Sequence, residues 1–150
     1  MSGDLIALAR DDLDAFNAGD WDRLAERMTD DSVYEEPATG RRIEGKDAIL
    51  DANRGWRAAF PDLRGTMTDA FGCGDRVAAR ITWEGTHSGP LATPDGGQIP
   101  PTGRKVTVYA CDLTRYEGDK VAESCNFFDL LGMMEQLGVM SEAASAQAGA

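Results

Sequence analysis

The stretch "RKVTVYACDLTRY", residues 104–116, decides how the chain folds. Its residues alternate. Val106, Val108, Ala110, Asp112 and Thr114 fall on one side of an extended strand; Lys105, Thr107, Tyr109, Cys111, Leu113 and Arg115 fall on the other. The first set begins apolar, as the buried face of a sheet does, and then carries a carboxylate. A charge on a face committed to burial requires either a partner or an open space beside it.

Strands of the same kind surround this one. "DLRGTMTDAF" (62–71), "RVAARITWEGTHSG" (76–89) and "KVAESCNFF" (120–128) share the period of two, and "GCGD" and "EGD" supply tight hairpins between neighbours. The longer connection "PLATPDGGQIPPTG" (90–103) is either a lid over a mouth or a plain strand link. Its "GG" is a poor phosphate cradle because no helix follows.

Upstream the period is helical. Leu5, Leu8, Ala9, Leu13 and Phe16 form one stripe that ends at "NAGD", and Asp12 falls inside it. "WDRLAERM" (21–28) predicts a short second helix, and "DSVYEEPATGRRIEG" (31–45) predicts two short strands around a turn at Pro37–Gly40. Ala48, Ile49, Ala52, Trp56, Ala59 and Phe60 predict a third helix, stopped by Pro61. "LLGMMEQLG" (130–138) predicts a closing one. Helices first and long strands afterwards define an α+β fold, in which a strongly curved antiparallel sheet wraps around N-terminal helices as a cone. The mouth of such a cone is a natural ligand pocket. Residues 1–139 read as a single domain, and 140–150 as a disordered tail with nothing to bury.

The formal charge of −11 over 150 residues disfavours phosphate backbones and anionic lipid, so neither nucleic acid nor membrane is an expected partner. No apolar run approaches the length of a membrane span, and the start of the chain has no basic region before its apolar residues. A cytoplasmic location is expected. Cys73, Cys111 and Cys125, odd in number and widely spaced, read as reduced core thiols. One histidine and no paired cysteines argue against a structural zinc site, and no metal is expected.

Several phrases in order, "FNAGDWDRLAERMTDDSVYEEPATG", "GKDAIL", "FPDLRG", "WEGTHSGPL", "IPPTGRKV", "DLTRYEGDKVAES" and "FFDLLGMMEQLG", cover the chain to about residue 139. Together they resemble the SnoaL-like polyketide cyclases of the nuclear-transport-factor-2-like superfamily. The resemblance implies a cone-shaped barrel, a homodimer, and chemistry without metal or organic cofactor. The acid/base aspartate of those cyclases stands three residues before the Asp of "FFD"; here that position is Asn126, and an amide does not exchange protons at neutral pH. A histidine of the preceding cyclase strand is replaced by Asp112. The chain is also similar to ketosteroid isomerases. That similarity places Glu36 of "YEEP" in the proton-shuttling slot, Asp112 of "DLTRY" in the oxyanion-hole slot, and Asp12 where the isomerase has a tyrosine.

The residues themselves nominate a site. Asp112, facing Val106, Val108 and Ala110, is expected to have a raised pKa and to act as an acid, unless Arg104, Arg80 or Arg115 pairs with it. Glu36 is a candidate base or a solvated turn residue, and Asp12 a pocket or helix-edge acid. His87 shares the parity of Val77, Ala79, Ile81 and Trp83 and is a catalytic or a structural imidazole. Asn126 is expected to orient a substrate carbonyl or to bond Asp112 across the hairpin. Trp56, Trp83, Phe60, Met67, Phe71 and Phe128 read as mainly core by spacing, with one or two of them offering a cavity a flat wall for a ring-shaped ligand.

The expected function is cofactor-free acid–base chemistry on an apolar, carbonyl-containing small molecule, with ring closure by aldol chemistry or a related rearrangement. Two alternatives stay open: a double-bond isomerase using Glu36 and Asp112, and a non-catalytic binder of small ligands. The Arg-x-Asp strand pair of epoxide hydrolases is absent, since Ala110 stands two residues before Asp112.

Overall fold

A computed structural model describes residues 2–140. Its elements in chain order are α1 Ser2–Ala18, α2 Trp21–Glu26, β1 Met28–Glu36, β2 Arg41–Glu44, α3 Lys46–Ala59, β3 Arg64–Cys73, β4 Arg76–Thr86, β5 Leu91–Ala92, β6 Gln98–Ile99, β7 Lys105–Glu117, β8 Lys120–Phe128 and α4 Leu130–Leu137. Only Met140 of the expected disordered tail lies within the described residues.

Six strands form one sheet in the order β2-β1-β8-β7-β4-β3. Its pairings are antiparallel except that β1 runs parallel to β8, so the sheet is mixed rather than wholly antiparallel. Alternation along one strand says which face is buried but nothing about the direction of its neighbour. A parallel pair needs a long crossover, and here α3 and the strands β3 to β7 intervene. Register shifts between Met67 and Asp69 in β3 and between Arg115 and Tyr116 in β7 mark irregularities that bend strands and add twist. They help curl the sheet around its helices.

α1 is docked by a side chain. Asn17 Nδ2 donates to the Gly65 carbonyl at 2.9 Å and its Oδ1 accepts from the Gly65 N–H at 2.8 Å. Gly65 is required there, because a Cβ would lie 2.7 Å from the Trp83 ring and 2.8 Å from Leu13. α2 starts at Asp20, whose carboxylate accepts from the Arg23 N–H. α4 starts at Asp129, capping Gly132, and ends at the left-handed Gly138.

The core divides in two. One cluster gathers Phe60, Leu63, Leu91, Val106, Val108 and Met133; the other gathers Ala15, Leu24, Met28, Ile49 and Leu50. Phe16 packs against both. Solid packing would merge the clusters; a hollow lies between them instead.

Two sequence expectations need correction. The cysteines are free but not core: Cys73 and Cys111 are exposed and Cys125 is half-buried. Cys111 shares the outward parity of Tyr109 and Leu113, which points it away from the helices. Phe71, read as core by its spacing, is 69% exposed instead. The 90–103 connection, read either as a lid or as a plain strand link, is an ordered segment. It folds into the β5–β6 hairpin, and Leu91 is buried in the first cluster.

Candidate active site

The hollow is a cavity of about 230 Å³. Trp56, Trp83, Phe60, Met67, Phe128 and Asp12 all stand in its wall, together with Asp112 and Asn126. The aromatic side is braced edge-on: Trp56 meets Phe128 at 5.8 Å and Trp83 meets Phe16 at 5.2 Å between ring centroids.

Asp112 is held by the sheet. Its register partners are Ala79 on β4 and Asn126 on β8, so an alkyl group and an amide flank it. No arginine reaches it. Arg115 pairs with Glu117 and Glu123 on the outward side, and no hydrogen bond joins Asp112 to Arg80 or Arg104 among the described residues. Burial alone, with no compensating cation, pushes its carboxyl up to about 7 from an ordinary 3.8. It faces a mostly apolar space.

Asn126 is oriented from behind. Its Nδ2 donates to the Tyr34 hydroxyl at 3.3 Å, and that hydroxyl donates to Glu36 Oε2 at 2.7 Å. Because the tyrosine proton is committed to the carboxylate, the hydroxyl can only accept from Asn126, which settles which way the amide lies. Asn126 Oδ1 is thereby left buried without a partner among the described residues, on the register partner of Asp112. Burial, followed by the nearby Glu36 charge, raises the Tyr34 pKa far above the usual phenol range, so Tyr34 stays neutral.

Glu36 is therefore not a base at the mouth. It is fully buried, it does not line the cavity, and its oxygens accept from Tyr34, from Thr39 Oγ1 at 2.7 Å and from both nitrogens of the Arg41 fork. Every lone pair it would need for a substrate proton is occupied. "EE" before a turn reads as solvated; the fold instead closes β2 over it and brings Arg41 back from the partner strand.

His87 is likewise outside the cavity. Its Nδ1 accepts from the Thr102 N–H at 3.2 Å and lies 3.0 Å from Thr102 Oγ1, and its ring tilts against Phe60 at 5.3 Å. Its own N–H donates to the Arg104 carbonyl and its carbonyl accepts from Gly103, which closes the base of the 88–102 excursion. Burial lowers its pKa, and with Nδ1 accepting, the proton of the neutral ring sits on Nε2. The parity of β4 does place His87 inward, but strand pairing stops at Thr86 and the ring packs behind Phe60 rather than onto the hollow.

Asp12 does line the cavity, but it is not free. Arg27 Nε donates to Oδ1 at 2.9 Å and the Tyr116 hydroxyl donates to Oδ2 at 3.0 Å. Burial raises its pKa against the opposing effect of Arg27. Asp12 and Asp112 are the two carboxyls in the cavity wall among the described residues, and Asp112 is the unpaired one.

Tyr116, Tyr34 and Arg27 are among the wall residues with no counterpart in the sequence-based site. Tyr116 was accessible by parity, four residues after Asp112 on the same face. Tyr34 shares its strand face with Glu36. Arg27 gave no periodic signal, since it caps α2 in the link to β1.

A curved sheet closed by helices over a polar-tipped apolar hollow is the nuclear-transport-factor-2-like cone, the fold also of ketosteroid isomerases. Within that class the chain belongs to the SnoaL-like polyketide cyclase family, whose match covers residues 7–137. IdmH of Streptomyces antibioticus, a candidate polyketide cyclase, is 30% identical, with a TM-score of 0.74 over 91% of this chain and 98% of that one. A candidate SnoaL-like polyketide cyclase from Jannaschia is 22% identical, with a TM-score of 0.82 over 91% of this chain and 93% of that one. A candidate ketosteroid isomerase from Kribbella flavida is 20% identical, with a TM-score of 0.65 over 85% of this chain and 79% of that one. The last two show the shared fold. No curated protein sequence matches the chain. No described helix is long and apolar enough to cross a membrane.

Proposed function

We propose that the protein is a cofactor-independent cyclase that closes a ring on an apolar, carbonyl-containing small molecule, with Asp112 as its single acid–base group. The observation that supports this most is the unpaired Asp112 carboxyl in the cavity wall, with a pKa near 7. A group poised there serves in both directions. As carboxylate it removes the proton α to a carbonyl, breaking the C–H bond and leaving an enolate. The enolate carbon attacks a second carbonyl of the same molecule, forming the C–C bond, and the new alkoxide takes the proton back from Asp112. Atoms balance with no co-reactant, and Asp112 ends as it began.

Asn126, in the slot where cyclases carry an aspartate, exchanges no proton; with one Nδ2 hydrogen committed to Tyr34, its other is the one that donates to the reacting oxygen. Glu36 acts at one remove, by holding Tyr34 and through it Asn126. A homodimer belongs to the same proposal. Phe71, Ala78, Leu113 and Cys125 occupy matched register positions across four strands, and Tyr109 and Phe127 extend this apolar outer face, with Phe71 69% and Tyr109 58% exposed.

Hydrogen–deuterium exchange at the α-carbon of 2-tetralone, followed by NMR at pH 7, tests the proton-transfer step. The wild-type protein is expected to accelerate exchange over buffer and Asp112→Asn to abolish the acceleration. Equal exchange by the two proteins removes Asp112 from the chemistry. No acceleration by the wild type favours a ligand-binding protein on the same scaffold.

A further inference from the structure

The cavity has a second polar pole that the proton-transfer chemistry does not use. Arg27, Asp12 and Tyr116 all stand in its wall. Both Asp12 oxygens are engaged: one takes Arg27 Nε and the other takes the Tyr116 hydroxyl. Arg27 is not fully engaged. Its Nη2 is buried and has no hydrogen-bond partner among the described residues. The Arg27 side chain is only 17% exposed and Nη2 itself is buried, so bulk water does not answer for that donor. A buried, charged N–H without an acceptor is costly, and natural structures rarely leave one unless something else completes it.

We infer that Arg27 is a substrate-anchoring residue, whose Nη2 takes a neutral oxygen acceptor, a ketone or ester carbonyl, on the part of the ligand remote from the reacting carbon. The inference rests on the proposed use of the cavity as a substrate site. Three features support this chemistry. Asp12, itself held by the Tyr116 hydroxyl, fixes the guanidinium through Nε, which gives the free N–H a set position rather than a flexible reach. Asp12 also neutralises the Arg27 charge, and Asp112 adds negative charge when ionised, so an anionic oxygen gains little here while a carbonyl gains a strong donor. Tyr116 follows Asp112 by four residues on the same strand face, about 13 Å of backbone. The two poles therefore suit a molecule carrying oxygen at separated positions, and the apolar wall between them takes the rings. Arg27 sets which end of such a molecule meets Asp112.

A matched pair of probes isolates the carbonyl: 2-acetylnaphthalene and its isostere 2-isopropenylnaphthalene, in which CH₂ replaces the oxygen. Calorimetric titration at pH 8.5 removes most of the Asp112 proton and with it a competing donor. The wild-type protein is expected to bind the ketone about tenfold more tightly, equivalent to about 1.4 kcal/mol. Arg27→Lys, which cannot hold Asp12 and fill the Nη2 position at once, is expected to bring the ratio below about twofold. The double variant Asp12→Asn/Arg27→Met removes both charges together, leaves no unpaired carboxylate, and is expected to do the same while still binding the hydrocarbon. An undiminished preference in both variants overturns the assignment, as does a wild-type ratio of one or tighter binding of 2-naphthoate than of the ketone. These results leave the proposed function standing. Failure of the wild-type protein to bind either probe sinks both.

Discussion

Replacing Asp112 by Asn should change the pH dependence of stability in a way no other substitution in the chain does. The carboxyl titrates at about 7 when folded and at 3.8 when ordinary. Below pH 3.8 both folded and unfolded chains carry its proton, and the group has no effect on stability. Between pH 3.8 and 7 the unfolded chain gives the proton up while the folded chain keeps it, so stability falls as pH rises. Each pH unit in that window weighs about 1.36 kcal/mol, which amounts to about 4 kcal/mol when the window has been crossed. Water entering the cavity lowers that figure and does not reverse its sign. Asn is close in shape to the neutral acid and does not titrate. Urea unfolding of both proteins at pH 4.5, 5.5, 6.5 and 8, followed by tryptophan fluorescence, reads the difference directly. All other groups cancel in the comparison. Asp112→Asn should gain steadily on the wild type as pH rises and level off above about 7. Parallel curves between pH 4.5 and 8 would refute the claim that this carboxyl is desolvated and unpaired.

Glu36→Gln leaves the Arg41 fork and the Tyr34 and Thr39 hydroxyls short of their acceptor, and is expected to cost about 2 kcal/mol in denaturant unfolding; a loss under 0.5 kcal/mol would mean that the buried carboxylate holds nothing in place. His87→Gln keeps a polar side chain but cannot gain a proton. Because burial lowers the His87 pKa, the folded chain resists the proton that the unfolded chain accepts, and wild-type stability falls as pH drops below about 6.5. The variant should escape that component of the fall, and equal slopes between pH 7 and 5 would count against it. Leu113→Asp on the outer face is expected to halve the mass seen by light scattering without altering 2-acetylnaphthalene binding; an unchanged mass would place the dimer elsewhere or nowhere.

Much of this molecule follows from local chemistry. The period of two over 104–116, the helical stripe of α1 and the Pro61 stop each act within a few residues of themselves, so the sequence alone yields the helices and long strands, their order and the odd position of Asp112. Sheet curvature, the parallel β1–β8 pairing and the cavity depend on contacts between residues far apart in the chain. Those contacts decide the fate of each polar group. Glu36 and Asp112 are both candidate proton-transfer groups in a linear reading, yet Arg41 folds back onto one and, among the described residues, no cation pairs with the other. His87 obeys its strand's parity and still misses the hollow, because pairing ends one residue before it. Arg27 belongs to no periodic pattern, and only the packing of α1 and β7 against the α2–β1 link shows that one of its donors is left without an acceptor. Secondary structure is governed by neighbours in sequence; a pKa is governed by neighbours in space.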